Sequence, residues 1–283
     1  MHAGLHKTGS SSLQESLGAA GLLQRSSRSD FRDSSELRRV LSRATVSNRV
    51  VSSEHFFGEL HDFYSTACER FEFLKANVDR SRTTFYLRPH VDWYSSAYSQ
   101  FVQEGRAIDL ASFERAALSS RYFSWNSLAS DLLERSNPSA QVVIKVASDV
   151  VNDYSQVIGV ALPSIQRKNP SLSPMALEAL VRLANEGLAP HSVARLALRD
   201  FMPESKKNTS VLTEQFQSQL LGMRDDWVAF SKTMHSVGQP IAKRWERFYD
   251  IDTRPTASKI FTSRHLEEAR RLVVSSGGID FRS

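Results

Sequence analysis

The sequence has 283 residues, of which 41% are hydrophobic and 24% are charged, and its formal net charge is +5 at pH 7. These values are typical of a folded globular chain and exclude wholesale disorder, and no apolar run reaches the roughly 18 to 20 residues of a membrane-spanning helix. The one cysteine, Cys68, excludes an internal disulfide and a zinc site built from several cysteines. The first residues also lack the apolar stretch of a signal peptide, so we expect a soluble cytoplasmic protein.

The basic charge of the chain is mild and comes mostly from arginine. Arginine outnumbers lysine by 27 to 9, and its planar guanidinium suits bidentate contacts to phosphate or sulfate. The ratio fits a small anionic ligand, and it equally fits an arginine-rich genome. No nucleic-acid-binding motif accompanies the charge, so we expect no nucleic-acid partner.

Apolar spacing predicts short strands that alternate with helices from the N-terminus to Ala147. The strand-like runs are Arg49–Ser53, Thr83–Leu87 and Gln141–Ala147. Helical spacing is found at Leu13–Ala20, Leu60–Leu74, Val91–Gln103 and Asp109–Ser119. A further helix is predicted to be capped by Ser35 and to carry Leu37, Val40, Leu41 and Ala44 on one face. Strands joined by helical crossovers predict an α/β fold with a parallel sheet covered by helices on both faces.

Beyond Pro163 the pattern becomes mostly helical. Ser173-Pro174 has the N-cap and first-turn proline of a helix start, and the segment Arg167–Ser173 is the best candidate for a junction. We therefore expect one domain over residues 1–283, made of a nucleotide-binding α/β core (1–165) and a helical C-terminal part (166–283).

The loop Gly4–Ser12 carries the first chemical signal. Its glycines and the following helix start can surround an anion with backbone N–H groups. The spacing from Gly4 to Gly9 matches part of a nucleoside-triphosphate loop, but lysine should then follow the second glycine, and Ser10 stands there. A kinase is therefore the weaker reading.

The same loop resembles the 5′-phosphosulfate loop of sulfotransferases that use 3′-phosphoadenosine 5′-phosphosulfate (PAPS). That loop reads Lys-[Ser/Thr]-Gly-[Thr/Ser]-[Thr/Ser], and bacterial members often carry His-x-Gly-x-x-Lys-Thr-Gly-Thr-Thr. Here the matching residues are His2, Gly4, Lys7, Thr8, Gly9, Ser10 and Ser11, with His6 inside the loop.

A second motif extends the resemblance. The family binds the nucleotide 3′-phosphate with an arginine at a strand end and a serine eight residues later. Arg88 follows the predicted strand Thr83–Leu87, and Ser96 follows in Ser96-Ala97-Tyr98. The proline comes directly after Arg88 and not two residues later, which is a small departure from the family pattern.

The resemblance implies sulfuryl transfer from PAPS to an acceptor hydroxyl, on a carbohydrate by preference, without a metal. Lys7 would face the leaving phosphate oxygen, and Glu54, at the end of the run Arg49–Ser53, or His55 beside it would be the base. Glu54 could instead cap the following helix. The rival reading is a nonenzymatic nucleotide- or glycan-binding member of the fold.

The start of the chain leaves little room for a first strand. Only Met1, His2 and Ala3 precede Gly4, whereas a buried strand usually has about five residues. We expect an underfilled sheet at this point, and an in-frame upstream extension that encodes a short apolar run.

Overall fold

The computed structural model describes most of the chain. The described residues are 1–4, 9–24, 26, 33–104, 108–165, 172–187, 192–204 and 209–276. His6, Lys7 and Thr8 lie outside them, as does most of the predicted junction Arg167–Ser173.

A parallel five-stranded sheet forms from His2–Gly4 (β1), Leu23–Gln24 (β2), Val50–Ser53 (β3), Ser81–Leu87 (β4) and Ala140–Val146 (β5), in the order β2-β3-β1-β4-β5. β1 lies at the centre, where His2 pairs with Ser52 on one side and with Thr84 on the other. β4 and β5 pair along their whole length. The protein is therefore an α/β protein with a parallel sheet, as the sequence predicts.

Twelve α-helices occur among the described residues. They are Ser10–Ala19 (α1), Ser34–Val46 (α2), Ala67–Ala76 (α3), His90–Gln103 (α4), Leu110–Leu118 (α5), Trp125–Arg135 (α6), Val150–Ile158 (α7), Pro174–Asn185 (α8), Ser192–Ala197 (α9), Glu214–Gly222 (α10), Arg224–Ser236 (α11) and Ser263–Ser275 (α12). Short 3-10 helices cover Leu60–Asp62, Lys243–Tyr249 and Ala257–Lys259. In this part of the chain no helix has the length and apolar character needed to cross a membrane.

The chain divides into two compact units, each assembled from separate stretches of sequence. The first contains residues 1–89, 120–167 and 223–247, and the second contains residues 90–119, 168–222 and 248–283. The first unit includes the whole sheet.

Helices cover both faces of the sheet in the first unit. Tyr86 of β4 packs with Leu13 and Leu17 of α1 and with Val150 and Tyr154 of α7. The preceding residue, Phe85, points to the opposite face because side chains alternate along a strand. There its ring meets Phe57 at 4.7 Å, and Phe57 in turn meets Phe71 of α3 at 6.1 Å.

The second unit is helical and has its own aromatic core. Tyr94 of α4 contacts Phe216 of α10 edge-on at 5.7 Å, and Phe113 of α5 lies 5.1 Å from Tyr98. Glu114 of α5 is buried and accepts hydrogen bonds from the backbone N–H and the hydroxyl of Thr213, the residue before α10, so it ties the start of α10 to α5.

Most predicted elements are confirmed within a few residues, and Ser173 caps α8 with Pro174 in its first turn, as predicted. The predicted helix over Leu60–Leu74 is wrong in its first half. Phe63 and Tyr64 adopt positive φ angles of 48° and 58°, which break an α-helix, so α3 begins only at Ala67. Leu60 and Phe63 are nevertheless buried, which explains their apolar character.

One predicted helix cap is also wrong. α2 begins at Ser34, and its cap is Asp33, whose carboxylate accepts the backbone N–H groups of Ser35 and Glu36. Ser35 therefore lies inside the first turn and does not cap the helix. An aspartate at this position satisfies the exposed amides of the first turn as a serine would.

Candidate functional site at the carboxyl edge of the sheet

The strand order determines where a ligand can approach the sheet. All five strands are parallel, so their carboxyl ends meet at one edge. The chain leaves β1 toward β2 on one side and leaves β4 toward β5 on the other, although β1 and β4 are neighbours. Such a switch point leaves a crevice outside the strand ends, where open α/β sheets bind ligands.

Three sequence-predicted segments meet at this edge. Gly4 ends β1 and pairs with Tyr86, so Arg88 follows two residues beyond that pair on β4. On the other side Ala3 pairs with Ser53, which places Glu54 level with Gly4. Neighbouring strands lie about 4.8 Å apart, so the backbones of Gly4 and Glu54 are neighbours across β1 and β3, and Arg88 lies two residues beyond the level of Gly4, just after β4.

Gly9 forms the junction between the loop and α1. Its φ of 93° lies in the left-handed region, and a Cβ placed on it would lie 3.3 Å from Cγ2 of Val150 on α7. Gly9 is the N-cap of α1 and has no side chain to cap it, and no acidic residue occurs in the first turn. The N-terminus of a helix attracts anions, so Gly9, Ser10 and Ser11 fit an anion-binding turn.

Arg88 is anchored through its main chain. Its carbonyl oxygen accepts a 2.8 Å hydrogen bond from Nε1 of Trp125, the buried first residue of α6. The carboxylate of Asp226 on α11 accepts the backbone N–H of Trp125 at 3.0 Å and so holds the start of α6. Trp125 and Asp226 were not expected from the sequence, because both are far from Arg88 along the chain.

Ser96, the predicted partner of Arg88, is half-buried on α4. α4 belongs to the second unit, whereas Arg88 belongs to the first. The joint use of Arg88 and Ser96 therefore stays a prediction.

The end of β3 contains a histidine–carboxylate pair beside Glu54. Glu54 is half-buried in the turn after the strand. His55 Nδ1 lies 3.1 Å from Oε2 of Glu59, whose side chain is only 10% exposed, while the side chain of His55 is 31% exposed. Glu59 was missed at the sequence level, and its only signal was its position four residues after His55.

A polar network lies under the neighbouring ends of β4 and β5. The Tyr86 hydroxyl donates a 2.6 Å hydrogen bond to Asp153 of α7, and Lys145 of β5 donates to both oxygens of that carboxylate at 2.9 Å. Burial, reinforced by the hydrogen bond to Asp153, raises the pKa of Tyr86 well above its usual value. Tyr86 therefore stays a neutral donor that joins β4 to α7.

His2 lies on β1 in a fully buried position. Its Nδ1 is 2.8 Å from the Ser52 hydroxyl, and its ring packs 5.7 Å from that of Tyr86 and 5.6 Å from that of Tyr154. Burial lowers the pKa of His2 from 6.5 to about 3, with a smaller contribution from the nearby chain terminus. The motif histidine is therefore a neutral residue that joins β1 to β3.

No protein-family model, curated protein or solved structure matches this chain. The likeness to PAPS-dependent sulfotransferases therefore depends on the motif residues themselves. Of these, Gly9, Ser10, Glu54, His55 and Arg88 belong to the described part of the first unit and follow β1, β3 and β4 at the same sheet edge.

Cys68 is not part of the motif segments at this edge. It lies on α3, is buried, and contacts the Tyr122 hydroxyl at 2.9 Å. Burial raises the pKa of its thiol, so little thiolate is present at neutral pH.

Proposed function

We propose that this protein transfers a sulfuryl group from PAPS to an acceptor hydroxyl, with a carbohydrate as the acceptor class. The observation that supports the proposal is the strand order β2-β3-β1-β4-β5, because β1, which precedes the loop in sequence, and β4, which precedes Arg88, are the two neighbouring strands of the switch point. The free, buried Cys68 suits a reducing compartment, and we place the reaction in the cytoplasm.

In this proposal two groups of residues bind the donor. The loop from Gly4 to Ser11, with His6, Lys7, Thr8, Gly9 and Ser10, surrounds the 5′-phosphosulfate. Arg88 and Ser96 bind the 3′-phosphate, for which the guanidinium offers a bidentate contact.

Sulfuryl transfer requires positioning and charge stabilisation more than covalent help from the protein. The acceptor oxygen forms its bond to sulfur while the bond from sulfur to the 5′-phosphate oxygen breaks, and that phosphate keeps the electron pair. Lys7 neutralises the charge that develops on the leaving oxygen. The hydroxyl proton passes to a base at the end of β3, either Glu54 or His55. No metal ion takes part in this scheme.

The proposal is tested by binding of the product nucleotide, 3′-phosphoadenosine 5′-phosphate. At 100 times its dissociation constant it should stabilise the fold by about 2.7 kcal/mol, a rise in melting temperature of about 4–5 °C. ATP with Mg²⁺ should have no comparable effect. A response to ATP–Mg²⁺ alone would favour the kinase reading, and nucleotide binding without transfer would favour the nonenzymatic one.

Arg82, on the strand that precedes Arg88, provides a matched control for it. Arg88→Ala should weaken product-nucleotide binding about 10- to 100-fold, because a charge-assisted hydrogen bond contributes about 1.5–3 kcal/mol. Arg82 is exposed at the amino end of β4, away from the carboxyl edge, so Arg82→Ala should keep the affinity. Equal affinities of the two variants for the product nucleotide would show that Arg88 does not bind it.

A further inference from the structure

The chain forms a tight turn after β3. His55 donates its backbone N–H to the Ser53 hydroxyl at 3.1 Å, and its carbonyl accepts the N–H of Gly58 at 3.3 Å. Gly58 has a φ of 113°, and a Cβ on it would lie 2.9 Å from Oγ1 of Thr66, so no other residue fits here without strain. This turn brings Glu59 back to the side chain of His55.

Glu59 lies in a buried segment of the chain. Its carbonyl accepts the N–H of Tyr64 at 3.1 Å, and Phe57, Leu60 and Tyr64 of the same segment are buried. A carboxylate with so little exposed surface requires a hydrogen-bond donor, and His55 Nδ1 at 3.1 Å provides one. A carboxylate only accepts hydrogen bonds, so the contact selects the form of His55 that carries a proton on Nδ1.

The tautomer determines what the histidine can do chemically. A neutral imidazole with its proton on Nδ1 has its lone pair on Nε2, the nitrogen on the opposite side of the ring from Glu59. A carboxylate that orients a histidine in this way is the arrangement by which hydrolytic triads fix their base. The side chain of His55 also keeps 31% of its surface exposed at the carboxyl edge of the sheet.

We infer that Glu59 is a positioning residue that holds His55 as the Nδ1–H tautomer, so that Nε2 of His55, and not Glu54, accepts the proton of the acceptor hydroxyl. The catalytic half of this inference depends on the proposed sulfuryl transfer, in which the proton moves to Nε2 as the sulfate ester and 3′-phosphoadenosine 5′-phosphate form. The tautomer half depends only on the pair itself.

The tautomer is measured directly by two-dimensional NMR of protein labelled with ¹⁵N-histidine, at about pH 8, well above the ordinary imidazole pKa of about 6.5. His55→Gln identifies the His55 signals by their loss. We expect a protonated Nδ1 in the unaltered protein, and a protonated Nε2 there would overturn the inference. Glu59→Ala should move the proton to Nε2, while exposed His61 in the same segment keeps its pattern.

The catalytic role is measured as single-turnover transfer from PAPS to a model sugar. Glu59→Gln should lower the rate about 10²-fold, at the low end of the cost of losing a general base, and leave product-nucleotide affinity unchanged. The control is Glu72→Gln on α3, which loses a carboxylate paired with Lys75 and should keep the full rate. An undiminished rate in Glu59→Gln contradicts the inference. If the unaltered protein transfers no sulfate, the proposed function fails, and the NMR result still decides whether Glu59 sets the tautomer.

Discussion

Replacing Gly9 by alanine tests the geometry of the turn that begins α1. The new side chain meets two separate obstacles, the backbone angle and the contact with α7. At φ 93° and ψ 10° the backbone lies outside the left-handed well near φ 50–70° that other residues can enter. The new Cβ would also lie 3.3 Å from Cγ2 and 3.4 Å from Cβ of Val150.

The magnitude follows from adding these two terms. A left-handed alanine costs about 1–2 kcal/mol, and overpacking against a buried side chain adds about 1–3 kcal/mol. Gly9→Ala should therefore lower the free energy of unfolding by about 2–5 kcal/mol. The matched control is Gly159→Ala after α7, where φ is 68° and no atom lies within 4 Å. Gly159→Ala has only the cost of the left-handed backbone, and part of that cost is offset because alanine lowers the entropy of the unfolded chain, so the free energy of unfolding should fall by about 1 kcal/mol.

Urea unfolding followed by circular dichroism measures both variants. A double-mutant cycle then isolates the contact, because Gly9→Ala should cost less in a Val150→Ala background, where the methyl groups are gone. If Gly9→Ala and Gly159→Ala cost the same, and the Val150→Ala background makes no difference, the packing argument for Gly9 is wrong.

Three further predictions concern the buried polar groups of the first unit. Tyr86→Phe removes the hydrogen bond to Asp153 and should cost about 1.5–3 kcal/mol in urea unfolding, more than Tyr154→Phe in the same cluster. Cys68 is buried with a raised pKa, so Ellman's reagent should react only after unfolding, and a fast native reaction would refute its burial. His2 should make stability depend on pH, because the unfolded chain binds a proton there below pH 6.5 and the folded chain does so only near 3. The free energy of unfolding should fall by about 1.4 kcal/mol per pH unit as pH drops through this window, and His2→Gln should remove that part of the slope.

The parallel sheet and its edge could be predicted because local patterns carry that information. β3, β4 and β5 are short runs of β-branched and aromatic residues with helical spacing between them, and parallel pairing then follows from the crossovers. Arg88 and Glu54 come directly after such runs, so their place at the carboxyl edge also follows. β2 has two residues and β1 has three, and segments so short have no periodicity to detect.

The supporting residues could not be predicted, because their contacts depend on turns and on distant packing. Glu59 reaches His55 only because Gly58 adopts a φ of 113°, and the sequence shows a glycine but not its angle. Trp125 reaches the carbonyl of Arg88 across 37 positions of sequence. The helical spacing that predicted a helix from Leu60 came from burial in a turn, because buried residues of a compact turn are as apolar as those of a helix.

The buried groups beneath the sheet edge also determine which residues can supply its positive charge. The motif histidine, His2, lies on β1, but burial lowers its pKa to about 3 and keeps it neutral at physiological pH. Lys145 is already paired with Asp153 at 2.9 Å. In the proposed donor site the attraction for phosphate therefore comes from Lys7, from Arg88 and from the N-terminus of α1. Neither His2 nor Lys145 can replace the positive charge of Arg88 in the Arg88→Ala variant. We therefore expect the full loss of product-nucleotide affinity, about 10- to 100-fold.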